Sequence, residues 1–232
     1  MSKYIIQHLG LGDHIVTNGL IRSIITDATD NQYHLFVLNW YMESVQFMYR
    51  DIPNLTIIGV NHWEDRYRYI NDNRISMDDV IEVTYDESSG IDFDRYFYES
   101  KGYPFEYRWS RFHCERDPYR ETDLFSKYKV ERGQYVFVHD DISRGFEIDR
   151  SHIIRKDLPI ILPMEGLTGN IFDYCYLMQN SAESHFIDSC FRLVFDSFKL
   201  RNNEIYYHQN LRYSVVKDRI TKSGSYLQFS VI

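Results

Sequence analysis

The sequence is short of cysteine, with only Cys114, Cys175 and Cys190 in 232 residues. They are odd in number and widely spaced, and no C-x-x-C pair offers zinc or redox chemistry. Reduced, buried thiols in a cytoplasmic setting are therefore expected. No apolar run is long enough to cross a bilayer, and Met1-Ser2-Lys3 leads directly into a strand with no signal peptide before it. Cytoplasmic residence is the expectation, with peripheral attachment at a membrane compatible with it but no integral segment. Positive charge is also scarce. The 26 Lys and Arg are outnumbered by 34 Asp and Glu, for a net charge of −8, with the two signs interspersed. A basic face for nucleic acid is thereby disfavoured. Internal repeats, low-complexity tracts and disordered linkers are missing too.

What is present suits a folded α/β protein. Hydrophobic residues make up 44% of the chain, enough for a real core in one large or two small domains, and 20 Tyr and 15 Phe make it unusually aromatic. Such rings serve as core packing or as stacking platforms for sugars and bases. The organising stretch is residues 4–22, YIIQHLGLGDHIVTNGLIR. An apolar run passes through Gly10 and Gly12 into apolar residues at 15, 16, 20, 21, 24 and 25, which share one face of a helix ending near Asp27. The glycines allow a sharp turn and close approach of a ligand, and free helix N–H groups point into the same space. Asp13 is thus either a helix cap or a chemical group. A dinucleotide fingerprint does not fit, since Ile15 stands where a third glycine belongs and Asn39-Trp40 where a ribose-holding acid should close the second strand.

Strands at His34–Leu38 and Leu55–Val60, with a helical stripe at Met42, Val45, Met48 and Tyr49 between them, continue a β-α-β-α-β order that predicts a parallel sheet. A helix over Trp63–Asn71 and a strand over Val80–Thr84 follow. Residues 93–128 are aromatic and basic; Arg108, Trp109 and Arg111 are either an acceptor-binding cluster or a packed ring flanked by solvated arginines. Asp117-Pro118 starts a helix to about Tyr128. A second α/β unit opens at Gly133, with strands at Tyr135–His139 and Leu158–Leu162, a helix over Ile171–Asn180, a strand at Ser184–Asp188, a helix from Ser189 to Leu200, and a strand at Ile205–His208. Arg144, in the loop after the first of these, is a candidate phosphate-binding cation or an ordinary loop arginine. Glu165 and, secondarily, Glu183 are candidate ribose-binding acids. The apolar end of the tail, Tyr226–Ile232, should dock on the fold.

Residues 10–22, GLGDHIVTNGLIR, resemble the opening turn of GT-B glycosyltransferases, particularly the heptosyltransferase-like group, and residues 170–189 resemble their donor half. Cys190 and Phe191 stand where that group usually has glycine and, soon after, histidine. The resemblance implies two Rossmann-like lobes facing a cleft, a compact GT-B-like arrangement, with an acceptor-side lobe over residues 1–130 and a nucleotide-sugar lobe over 131–232. It also implies Asp13 as general base on an acceptor hydroxyl, and Asp188 and Ser189 at a diphosphate-binding helix start. Gly12, Arg144 and Glu165 join them on the donor side, with Arg108, Trp109 and Arg111 on the acceptor side. The donor would be a nucleotide-diphosphate sugar and the acceptor a glycan or glycolipid, with no cofactor. Related possibilities are a nucleotide-sugar epimerase and a non-catalytic nucleotide- or sugar-binding module. A metal-using transferase would draw on Asp92-x-Asp94 or Asp140-Asp141, although acids at such spacing are common by chance and the histidines show no H-E-x-x-H pattern.

Overall fold

The computed structural model describes residues 1–8, 10–142, 145–201, 204–208 and 230–231. The chain forms two compact units, Met1–Glu115 and Arg116–Ile232.

In the first unit, strands β1 (Ser2–Gln7), β2 (Gln32–Leu38), β3 (Leu55–Val60) and β4 (Val80–Val83) alternate with helices α1 (Leu11–Val16), α2 (Asn18–Asp27), α3 (Met42–Met48) and α4 (Asp65–Asp72). Helices α5 (Phe93–Glu99) and α6 (Tyr107–Ser110) follow. All pairings are parallel and the order is β3-β2-β1-β4. Ile5, Ile6 and Gln7 are consecutive and fully buried, as expected of a parallel strand covered on both faces. One face carries Ile6, Phe36, Val60 and Ile70. Because β2 and β3 extend the sheet one way from β1 and β4 lies on its other side, the strand order reverses between β1 and β4. The carboxyl ends of two strands flanking such a reversal are where open α/β sheets hold ligands.

The expected single helix from Asp13 to Asp27 divides at Thr17, whose φ of −86° and ψ of 2° separate α1 from α2. The Thr17 hydroxyl shares the Asp13 carbonyl with the helix ladder (2.8 Å), a local bond that bends helices.

The second unit holds α7 (Pro118–Lys127), β5 (Val136–His139), β6 (Ile160–Ile161), α8 (Cys175–Gln179), β7 (Glu183–Phe186), α9 (Cys190–Ser197), β8 (Glu204–Tyr207) and β9 (Ser230–Val231). The order β6-β5-β7-β8-β9 is again parallel and reverses between β5 and β7. The end of the tail docks through β9, which pairs with β8. Asp117 caps α7 by accepting from the Tyr119 and Arg120 N–H groups at 3.0 and 3.1 Å, with Pro118 first in the helix. Arg120 makes two 2.8 Å bonds to Asp173, and Phe125 packs on Tyr176 at 5.1 Å. These contacts tie α7 to the second unit, so the units meet at 115/116 where the sequence reading divides at 130/131. Among the described residues no α-helix joins β5 to β6. The segment instead folds over the sheet, with Ile148 and Ile153 packing on Val136, Val138 and Ile187.

The three cysteines are free thiols. No helix among the described residues is long and apolar enough to cross a membrane.

Candidate functional site

The first crevice is built on the end of β1. Gly10 is the N-cap of α1, so Asp13 is the third residue of the helix and not its cap. Its half-buried carboxylate reaches back toward the Gly10 N–H, and a Cβ on Gly10 would lie 2.8 Å from Asp13 Oδ2. The missing side chain at position 10 is therefore what lets the carboxylate sit there. Burial, and then the nearby charge of Asp94, push the Asp13 carboxyl up to about 7, against the opposing pull of the Gly10 N–H. Asp94 is itself held by the buried Arg108 guanidinium.

Beneath the turn, Gln7, His14 and Thr17 form a buried polar knot. The Gln7 amide donates to His14 Nδ1, and the Thr17 hydroxyl shares its single hydrogen between Gln7 Oε1 at 2.7 Å and the Asp13 carbonyl at 2.8 Å. Burial drops His14 to about 3, so the ring is neutral, with its hydrogen on Nε2. This knot joins the end of β1 to the start of α1 and was missed in the sequence; a glutamine closing an otherwise apolar strand is the signal that was there to read.

His8, just past β1, accepts from the Tyr85 N–H at 3.2 Å through Nε2 and is ringed edge-on by Trp63, Phe93 and Phe97 at 5.3–5.6 Å. Burial and then Arg66 lower its pKa. Arg66 is almost wholly buried, donates to the Gln7 carbonyl, and lies 3.4 Å from the Trp63 ring centroid. An aromatic wall thus lines the carboxyl end of β1, drawn from loops that sequence spacing does not connect.

Of the expected acceptor residues, Arg108 meets Asp13 through Asp94. Trp109 is 8% exposed and packs on Phe105 at 5.2 Å, which leaves little ring for a ligand to stack on. Arg111 is exposed, its guanidinium 5.0 Å from the Tyr107 ring. Gly12 is the second residue of α1 and half-buried.

The second crevice lies at the ends of β5 and β7. Ser189 is the N-cap of α9, its hydroxyl accepting from the Arg192 N–H at 3.5 Å, while Asp188 pairs with the Arg192 guanidinium at 3.3 Å. His139 stacks on Phe191 with centroids 4.3 Å apart, and burial lowers it to about 4. Asp140 accepts from the Ile148 N–H at 2.8 Å and pairs with Arg150. Of the four acids considered for metal binding, Asp94 and Asp140 are engaged with arginines. Arg144 lies outside the described residues. Glu165 is exposed on a turn beyond the end of β6. Glu183, expected as a ribose-binding acid, instead sits fully buried at the amino end of β7, away from the carboxyl ends of β5 and β7, and accepts from the Ile154 and Arg155 N–H groups at 2.9 and 2.8 Å.

Fold and sites together define a protein of two parallel α/β units, each with titratable side chains gathered where its strand order reverses. No family model matches the sequence, and no curated protein matches it. Among solved structures, the chain is similar to a glycosyl transferase family 9 protein from Veillonella parvula DSM 2008, with a TM-score of 0.49 and 12% identity, over 89% of this chain and 80% of that one.

Proposed function

We propose that the chain is a metal-independent glycosyltransferase that moves a sugar from a nucleotide-diphosphate donor to a hydroxyl of a glycan or glycolipid. The observation that carries this reading is the Asp13 carboxyl, raised to about 7 at the reversal point of the first sheet. A base whose pKa lies near neutrality is matched to taking a proton from a hydroxyl as that oxygen attacks. In the proposed reaction Asp13 accepts the acceptor's proton, the oxygen bonds to the anomeric carbon, and the bond to the nucleoside diphosphate breaks.

The departing diphosphate would be met by the helix start at Ser189, with Asp188 fixing that turn through Arg192. Gly12, Arg144 and Glu165 remain the other donor-side candidates and Arg111 the exposed acceptor-side one. Arg108 would act at one remove, holding Asp94 where its charge keeps Asp13 basic, and Trp109 would pack behind it.

Asp13→Asn tests the reading. Transfer from uridine or adenosine diphosphate sugars should fall by roughly 10²–10⁴-fold while nucleotide binding, followed by calorimetry, is kept. Conversion of donor with no acceptor present would identify an epimerase instead, and binding without turnover in the unaltered protein would identify a binding module. Loss of transfer on chelation would overturn metal independence.

A further inference from the structure

We propose that His208 Nδ1 is a hydrogen-bond acceptor for a ribose hydroxyl of a nucleotide bound at the carboxyl edge of the second sheet; this rests on the nucleotide-sugar reading above. Glu183, His185 and His208 are 0%, 0% and 5% exposed and form a bonded line across β7 and β8. Glu183 Oε1 lies 2.5 Å from His185 Nε2, and His185 Nδ1 lies 2.8 Å from His208 Nε2. The line fixes the hydrogens one after another. Burial raises the Glu183 carboxyl, but hydrogen bonds from His185 and from two backbone N–H groups outweigh it and keep the group ionised, able only to accept. His185 must therefore carry its hydrogen on Nε2. Its Nδ1 is then bare and can only receive the hydrogen of His208 Nε2, which leaves His208 Nδ1 bare in turn.

An extra proton on the line would turn Nδ1 into a donor. Burial and the neighbouring His185, His152 and Arg150 oppose this, outweighing Asp140 and lowering His208 to about 4. His152 contacts the ring at 5.5 Å between centroids and lies 4.0 Å from Asp149. Among the described residues no hydrogen bond reaches His208 Nδ1, which leaves this nitrogen open to a donor.

Position says what could fill it. His208 directly follows β8, and its N–H bonds the Phe186 carbonyl at the end of β7, the strand that leads into Ser189 and α9. Neighbouring strands lie about 4.8 Å apart, so a nucleotide with its phosphates at the α9 start has its ribose within reach of the next strand end. A bare imidazole nitrogen accepts from a hydroxyl and has nothing to offer an anion. The adjacent Arg150 disfavours a cation.

The test uses the full chain labelled with ¹⁵N-histidine, with uridine and adenosine diphosphates as probes. Long-range ¹H–¹⁵N spectra, assigned with His208→Gln, should show His208 Nδ1 unprotonated and its resonance moving when either nucleotide binds. His208→Gln keeps an N–H toward His185 but loses the Nδ1 acceptor. It should leave the melting temperature unchanged and weaken nucleotide binding about tenfold, with no effect on the 2′,3′-dideoxy counterpart. His208→Asn keeps an acceptor near Nδ1 and loses the internal bond, so it should lower the melting temperature and retain affinity. Nucleotide binding that is indifferent to His208→Gln, or a proton found on Nδ1, overturns this inference and leaves the transferase reading standing. No nucleotide binding by the unaltered protein overturns both.

Discussion

Asp13 is a carboxyl group whose ionisation the fold resists. Its folded pKa of about 7 lies above the ordinary carboxylate value of 3.8, so between those limits the native state holds a proton that the unfolded chain has released. Stability from this group is fully present below about pH 4 and is lost as pH rises through 7. Asp13→Asn, which stays neutral, should match the unaltered protein at pH 4 and exceed it at pH 8 by about 1–3 kcal/mol, read from urea unfolding at both values. A constant difference would mean that Asp13 has no raised pKa, and the base assignment would go with it. The Gly-x-Gly-Asp turn was legible in the sequence because turn, cap and helix start depend on near neighbours. Burial raises Asp13 most, and Asp94, whose charge adds to it, and Arg108, which holds Asp94, come from helices far along the chain. Arg108 was read as an acceptor residue for the same reason: nothing beside it in the chain shows the carboxylate it is paired with.

At the scale of elements, α2 and α6 touch backbone to backbone. A Cβ on Gly19 would stand 2.0 Å from the Tyr107 carbonyl oxygen, which has no side chain to swing away. Gly19→Ala should therefore cost about 1–3 kcal/mol by overpacking. Since α6 carries Arg108, any displacement of that helix should also shift the pH dependence of transfer, and a pH–rate profile beside the melting curve checks both. The parallel strands were readable because buried strands write continuous apolar runs. The link from β5 to β6 was not, since its course over the sheet depends on Asp140 capturing the Ile148 N–H and Arg150, a bond between residues that merely look like loop. Glu183 was similarly misread, because an acid beside a strand shows neither which end of the sheet it occupies nor that a histidine two residues on will claim it.

Across the molecule, both units bury neutral histidines. His14 is lowered to about 3 and His139 and His208 to about 4, mainly by burial, from an ordinary value of 6.5. Below pH 6.5 the unfolded chain takes up protons that these sites refuse, so the stability they contribute falls as pH drops from 6.5 through about 4. Asp13 works in the opposite sense across that whole range but is one group against three. Unfolding free energies at pH 7, 5.5 and 4 should decline steadily, and a flat profile would contradict the burial of these rings.

Apolar runs, glycine turns and capping acids act over a few residues. The sequence alone therefore determined the two parallel α/β units, most of their elements, and the two turns at which chemistry was expected. Desolvation and Coulomb forces depend on distance in space, not along the chain. Only the tertiary structure could decide that Asp13 is held near neutrality, that Trp109 is core, and that Glu183 dictates the hydrogens of two histidines.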